Sequence, residues 1–166
     1  MHEDSKKLMK GFISNFLNGN RALKVLDVGA YDVNGNYRDL FTQFQYVGMD
    51  VEAGPNVDLV VEEPYNWKEI ADESYDIVIC GQALEHIEYP WETMREIARV
   101  MKKGGLCCVV FPSKGPLHYY PLDCWRIMPQ GAEALAKWAG LKVLDVRESH
   151  NEKWADIGLI AEKPIG

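Results

Sequence analysis

Residues 22–35 read Ala22-Leu23-Lys24-Val25-Leu26-Asp27-Val28 and then Gly29-Ala30-Tyr31-Asp32-Val33-Asn34-Gly35. The first seven make a nearly continuous apolar run, the pattern of a strand buried on both faces, and the glycines and asparagine behind it mark a turn. A helical stretch over residues 37–44 completes a strand–loop–helix unit. Working outward, residues 46–51 form a second short strand ending on Asp50, residues 57–61 a third, and residues 74–80 a fourth. Residues 90–102 read as an amphipathic helix with Met94, Ile97, Ala98 and Met101 on one side, and Gly104-Gly105 caps it. The apolar run over residues 106–111 then has the look of a central parallel strand. Strands alternating with helices predict a mostly parallel sheet covered on both faces, with ligands at the carboxyl ends of its strands.

The flanks extend this pattern. Leu8, Phe12, Ile13, Phe16 and Leu17 recur at helical spacing and Gly19-Asn20 supplies a stop, so residues 1–20 are expected to hold an N-terminal helix acting as a lid or end cap. Residues 112–129 carry Pro112, Gly115, Pro116, Pro121 and Pro129 among aromatic and polar side chains, and so long a loop is expected on the substrate side. Residues 131–139 are helical, and two strands at residues 141–148 and 154–162 have so short a connection that they must pair antiparallel.

Composition narrows the function classes. The chain has 166 residues, enough for one domain, and 18 Lys and Arg against 25 Asp and Glu give a net charge of −7. An acidic chain is a poor partner for a phosphate backbone, so nucleic acid is not expected. No run approaches the roughly 20 apolar residues that cross a bilayer, and residues 1–10 lack the apolar segment of a signal peptide, so a soluble cytoplasmic protein, monomer or homodimer, is expected. Cys80, Cys107, Cys108 and Cys124 form no zinc or disulfide spacing; they read as buried thiols, the adjacent pair pointing to opposite faces of one strand.

The segment from Val25 to Ala30 resembles the first motif of class I S-adenosylmethionine-dependent methyltransferases, and Asp50 stands 21 positions after Gly29. An acid at the end of the second strand can accept hydrogen bonds from both hydroxyls of a ribose. Tyr75-Asp76-Ile77-Val78-Ile79-Cys80, Ala83-Leu84-Glu85-His86-Ile87 and Lys102-Lys103-Gly104-Gly105-Leu106 are similar to later motifs of that family, in its order. The terminal strand pair also suits it. The resemblance implies a Rossmann-like α/β fold, a mostly parallel seven-stranded sheet with helices on both faces and an antiparallel C-terminal strand, in a single domain using S-adenosylmethionine. The run after Gly29 departs from the family, placing bulky residues where glycines are usual; the same departure argues against a nicotinamide-binding Gly-x-Gly-x-x-Gly loop.

The resemblance assigns the cofactor to Asp27, Gly29, Ala30 and Tyr31 at the first turn, to Asp50 and Val51 for ribose and adenine, to Glu62 beside the adenine, and to Gly81 and Gln82 at the methionine end. The alternatives are that Asp27 only holds the turn, and that Asp50 and Glu62 are exposed acids. Methyl transfer to a hydroxyl needs an aligned nucleophile and a base for its proton. His86, directly after the fourth strand, and His118 with Asp123 in the long loop are the candidates; the alternatives are a capping or packing role for His86 and an Asp123–Arg126 pair. Tyr119, Tyr120 and Trp125 in that loop suit the flat face of a sugar, and the loop resembles those of small methyltransferases that modify glycans. A small or glycan hydroxyl acceptor and metal-independent chemistry are therefore expected. A non-catalytic cofactor-binding or partner-binding protein of the same fold is the other reading.

Overall fold

The computed structural model describes residues 3–17 and 22–166; the expected helix stop at Gly19-Asn20 lies outside the described residues. Its helices are α1 (Glu3–Phe16), α2 (Pro90–Val100) and α3 (Pro129–Trp138), and its strands are β1 (Lys24–Val28), β2 (Gln45–Asp50), β3 (Leu59–Val60), β4 (Tyr75–Gly81), β5 (Met101–Lys114), β6 (Lys142–His150) and β7 (Ala155–Glu162). These strands form one seven-stranded sheet in the order β3-β2-β1-β4-β5-β7-β6. Neighbouring pairs from β3 through β5 are parallel, while β7 runs antiparallel to both β5 and β6. The order reverses between β1 and β4, and the crevice at that switch point is where a sheet of this kind holds ligands.

The buried strands have apolar side chains on both faces because both faces are covered. On one, Leu26, Val28, Val78, Cys107 and Val109 meet Met94 and Ile97 of α2 and Ala132 and Ala136 of α3. On the other, Val25, Ile77, Ile79, Cys108 and Val110 meet Met9 and Phe12 of α1 together with Tyr37 and Phe41. Cys107 and Cys108 thus do point to opposite faces. Cys80 is buried as well, whereas Cys124 is exposed, against expectation, because its loop lies on the surface. Phe12 and Met9 are fully buried, and each contributes about 1.5–3 kcal/mol of apolar burial to the docking of α1.

Two expected elements come out differently. The helix predicted over residues 37–44 is only a 3-10 turn, Arg38–Leu40. Tyr37 and Phe41 bury their rings in the core, and the Arg38 side chain bonds Asn56 and Asp58, so tertiary contacts hold the segment without a regular helix. Gly104-Gly105 does not cap α2: β5 already begins at Met101, and the two glycines sit where its pairing with β4 slips between Tyr75 and Ile77. Gly104 has φ +74°, and a Cβ on Gly105 would stand 2.7 Å from the Lys102 carbonyl oxygen, so the irregularity needs small residues.

Arg99, near the end of α2, fixes the β3–β4 connection. Its guanidinium bonds Glu96 and Asp72 and donates to the Ile70 and Trp67 carbonyls at 2.9 Å each, while Glu96 accepts the Trp67 backbone N–H at 2.8 Å. That network seats Trp67 under the ligand crevice. Among the described residues no helix is long and apolar enough to cross a membrane.

Candidate active site

At the carboxyl ends of the central strands lies a cavity of about 510 Å³. Its wall comes from five strand exits: Gly29 and Tyr31 after β1, Asp50 and Val51 at β2, Val61, Pro64 and Tyr65 after β3, Gln82, Glu85 and His86 after β4, and His118, Tyr119 and Tyr120 after β5. A smaller cleft of about 300 Å³, lined by Leu23, Asp76 and Lys102, opens where β1, β4 and β5 begin, away from the switch point.

The first turn is built around Gly29, whose φ of +74° favours glycine and whose Cβ, if present, would stand 2.6 Å from that of Ala83. Gly29 and Ala30 both donate their N–H to the Met49 carbonyl at 3.0 Å, which ties the turn to β2. Asp50 closes the same link. Its carboxylate accepts the N–H of Tyr31 at 3.0 Å, of Val51 at 2.8 Å and of Glu52 at 3.3 Å. A carboxylate has about four acceptor sites, so Asp50 retains capacity for a ligand hydroxyl. The Tyr31 ring leans against Gly54 and lines the cavity.

Four of the expected cofactor residues are absent from the wall. Asp27 is buried beneath it, accepts the Tyr46 hydroxyl, and is pushed up to about 7 by desolvation. Ala30 is buried, with its carbonyl bonded by Asn56 at 2.9 Å. Glu62 is exposed, its backbone N–H donating to Glu69 at 2.9 Å, while Val61, Pro64 and Tyr65 supply the wall there. Gly81 lies against the Tyr37 hydroxyl, where any side chain would collide, which makes it a packing glycine. The helix expected as a lid or end cap packs Met9 and Phe12 on the sheet, and its residues are not among those lining the cavity.

The pocket suits S-adenosylmethionine. It offers an acid at the second strand end, apolar surface from Val51, Val61 and Tyr65, and the Gln82 side-chain amide, whose Nε2 is buried with no hydrogen-bond partner among the described residues. When bound, that cofactor supplies a methyl group on a positively charged sulfur.

The other end of the cavity belongs to the β4 and β5 exits, and one residue clasps them together. The Glu85 backbone carbonyl accepts the N–H of Cys124 at 2.7 Å and of Trp125 at 3.2 Å, and the Trp125 indole donates to the Ile87 carbonyl at 2.9 Å. His86 Nδ1 donates to the Leu122 carbonyl at 2.5 Å. The two histidines thereby meet edge to face, ring centroids 4.8 Å apart. Glu85, expected only as part of a motif, is buried to 1% beside them, with His86 Nε2 3.7 Å and His118 Nε2 3.9 Å from its Oε1. Its position directly before His86 is the signal that marks it. Thr93, also buried in the wall and with no partner for its hydroxyl among the described residues, carries no sequence signal.

Asp123 is held differently from a base. Arg126 grips both its oxygens, at 2.6 and 2.9 Å, and the His118 backbone N–H donates to it at 2.8 Å, so its carboxyl lies far below the usual range. Asp123 accordingly positions His118, whose Nδ1 stands 3.6 Å from Asp123 Oδ2. The neighbouring Glu85 carboxylate, against a smaller effect of burial, raises the His118 imidazole above its ordinary value.

Comparison with known proteins agrees with this geometry. A family model described as a methyltransferase domain matches residues 22–109, more than half of the chain. A stretch of 102 residues is 31% identical to the thiol S-methyltransferase TMT1B of Rattus norvegicus; the match covers 55% of this chain and 34% of the rat protein, so the chain spans only about a third of that relative. The fold matches a Bacillus halodurans C-125 structure assigned to the methyltransferases, with TM-score 0.75 and 16% identity over 98% of this chain and 100% of that one. It also matches the methyltransferase CalH solved with S-adenosylhomocysteine, with TM-score 0.70 and 16% identity over 96% of this chain and 57% of that one. From the ordered strand exits, the cavity they enclose and the family match across them, the chain belongs to the methyltransferase-domain family, with the Rossmann-like class I fold and S-adenosylmethionine as its cofactor.

Proposed function

We propose that the protein transfers a methyl group to a hydroxyl of a small acceptor, with sugars and glycans the favoured class, and that residues 112–129 form the acceptor side of a single-domain enzyme. The observation that carries this reading is the convergence of Glu85, His86 and His118 at one end of a cavity whose other end presents Asp50. A hydroxyl is a weak nucleophile until its proton is drawn away, and a carboxylate with two imidazoles is a suitable place to do so. Tyr119 and Tyr120, exposed to 69% and 52%, offer ring faces at the mouth for a flat hydroxylated ligand. Asp50, Val51 and Gln82 hold the methyl donor, while Glu85, His86 and His118 receive the acceptor.

The likeness to a thiol S-methyltransferase favours a second reading, a thiol acceptor. A thiol ionises more readily and needs less help from a base. Incubating the protein with S-adenosylmethionine and paired acceptors that differ only in hydroxyl or thiol, and following S-adenosylhomocysteine release, separates the two. Turnover on hydroxyl compounds that falls at least tenfold in His118→Ala supports the first. Turnover confined to thiols and indifferent to His118 supports the second, and cofactor binding with no turnover on any acceptor points to a non-catalytic protein.

A further inference from the structure

We infer that Glu85, His86 and His118 form a binding site for a first-row transition-metal dication, in a chain whose sequence led to metal-independent chemistry being expected. This deepens the proposed function and rests on its placement of the acceptor at this end of the cavity.

His86 Nδ1 faces the Leu122 carbonyl at 2.5 Å, and a carbonyl only accepts, so Nδ1 carries the proton and Nε2 a lone pair. His118 Nδ1 faces the Pro116 carbonyl at 3.4 Å and Asp123 Oδ2 at 3.6 Å. Arg126 Nη2 is also 3.4 Å away, but its two hydrogens are spent on Pro116 and Asp123 at 2.8 and 2.9 Å. The His118 Nδ1 therefore donates as well, and in the neutral form of each ring Nε2 holds a lone pair. Both lone pairs look toward Glu85, a carboxylate exposed to 1% whose two oxygens accept no hydrogen bond among the described residues.

With both rings neutral, three electron-pair donors face one another within 4.8 Å. Leaving a buried carboxylate in that state is costly, and a cation is the chemical complement. The separations of 3.7 and 3.9 Å exceed hydrogen-bond length. Ligands about 2.0–2.2 Å from one ion lie roughly 3–3.5 Å apart, so small side-chain rotations close the set. Each imidazole is already oriented by a partner on its far nitrogen, the arrangement that supports metal-binding histidines. Two nitrogens and one oxygen suit Mn²⁺, Fe²⁺, Co²⁺ or Zn²⁺ rather than Mg²⁺ or Ca²⁺, which prefer oxygen alone.

Three protein ligands leave positions open toward the cavity, and an acceptor with two adjacent hydroxyls fills two of them as a chelate. With the ion bound, the three side chains would act on the hydroxyl through it rather than as bases: coordination would lower the hydroxyl's pKa, and its proton would leave to water. The resulting oxygen attacks the methyl carbon; the C–O bond forms as the C–S bond breaks, and the electron pair of that bond neutralises the sulfonium to a thioether. A diol acceptor thereby becomes the substrate class the site selects.

Calorimetric titration of chelator-treated protein with Mn²⁺, and separately with Zn²⁺, tests the site in the full chain, in Glu85→Gln and His118→Ala, and in His150→Ala as a histidine outside the cavity. The expected result is one site per chain in the wild type and His150→Ala, weakened about tenfold or more in the other two, with circular dichroism unchanged. Absent binding, or equal affinity in all four proteins, overturns the proposal. Titration with S-adenosylhomocysteine in the same samples separates the readings: normal binding of that ligand without cation binding removes the metal site and leaves the donor pocket, whereas loss of both removes the pocket assignment as well.

Discussion

Arg126 holds Asp123 by both carboxylate oxygens, and Asp123 in turn takes the backbone N–H of His118, so a partly buried ion pair sets where the imidazole stands. Both Asp123 oxygens are already engaged, and the Asp123 side chain has no solvent exposure. Its replacement by asparagine keeps the size and loses the charge. Asp123→Asn is expected to lower kcat by about 10–100-fold, as is usual for a residue that orients a reacting or ligating histidine. Affinity for S-adenosylhomocysteine should stay unchanged, because Asp123 is not in the cavity wall. A parallel loss of that affinity in calorimetry would show that the pair supports the whole pocket.

Asp50 sits at the other end and binds the first turn through Tyr31. Asp50→Ala removes three accepted backbone hydrogen bonds and the acceptor for a ribose, and charged hydrogen bonds contribute about 1.5–3 kcal/mol each. Affinity for S-adenosylhomocysteine should fall at least tenfold. Unchanged affinity by calorimetry removes Asp50 from the site.

Phe12 of α1 is fully buried against the sheet and is not among the residues of the cavity wall. Phe12→Ala is expected to cost about 3–5 kcal/mol of stability while leaving the KM of folded protein for either substrate unaltered. Urea unfolding and steady-state kinetics at low temperature check the two parts. A raised KM for the acceptor without loss of stability would restore the lid role.

Asp27 gives a pH dependence with a definite sign. Burial pushes its folded-state pKa from the ordinary 3.8 up to about 7, so the folded chain takes up a proton that the unfolded chain has released. Its contribution to stability is full below pH 3.8 and is lost as pH rises through about 7. Asp27→Asn keeps an acceptor for the Tyr46 hydroxyl and removes this titration. Urea unfolding across that pH range should show the variant gaining on the wild type as pH rises. A constant difference between them would contradict the burial argument.

Much of this was legible in residue order. The apolar runs announce β1, β4 and β5 because these strands are covered on both faces, and a short polar connection announces the antiparallel β6–β7 pair. The 3-10 turn at Arg38–Leu40 was not legible, since the anchoring of Tyr37 and Phe41 depends on residues distant in sequence. The same limit applies within the site. Asp50 is marked by its position after a strand, and the Asp123–Arg126 pair by its spacing of three. The family resemblance assigns Glu62 and Gly81 to the cofactor, whereas packing leaves one exposed and sets the other against Tyr37. Glu85 and His118 lie in different loops, so the carboxylate and imidazoles become a cluster only when the β4 and β5 exits are set side by side.

The most direct test is a crystal structure of the full chain with S-adenosylhomocysteine. The ligand is expected in the cavity between the β1, β2 and β4 exits, its ribose hydroxyls within hydrogen-bond distance of Asp50 and its sulfur facing Glu85, His86 and His118. A ligand whose ribose lies away from Asp50, or whose sulfur faces away from that cluster, would contradict it.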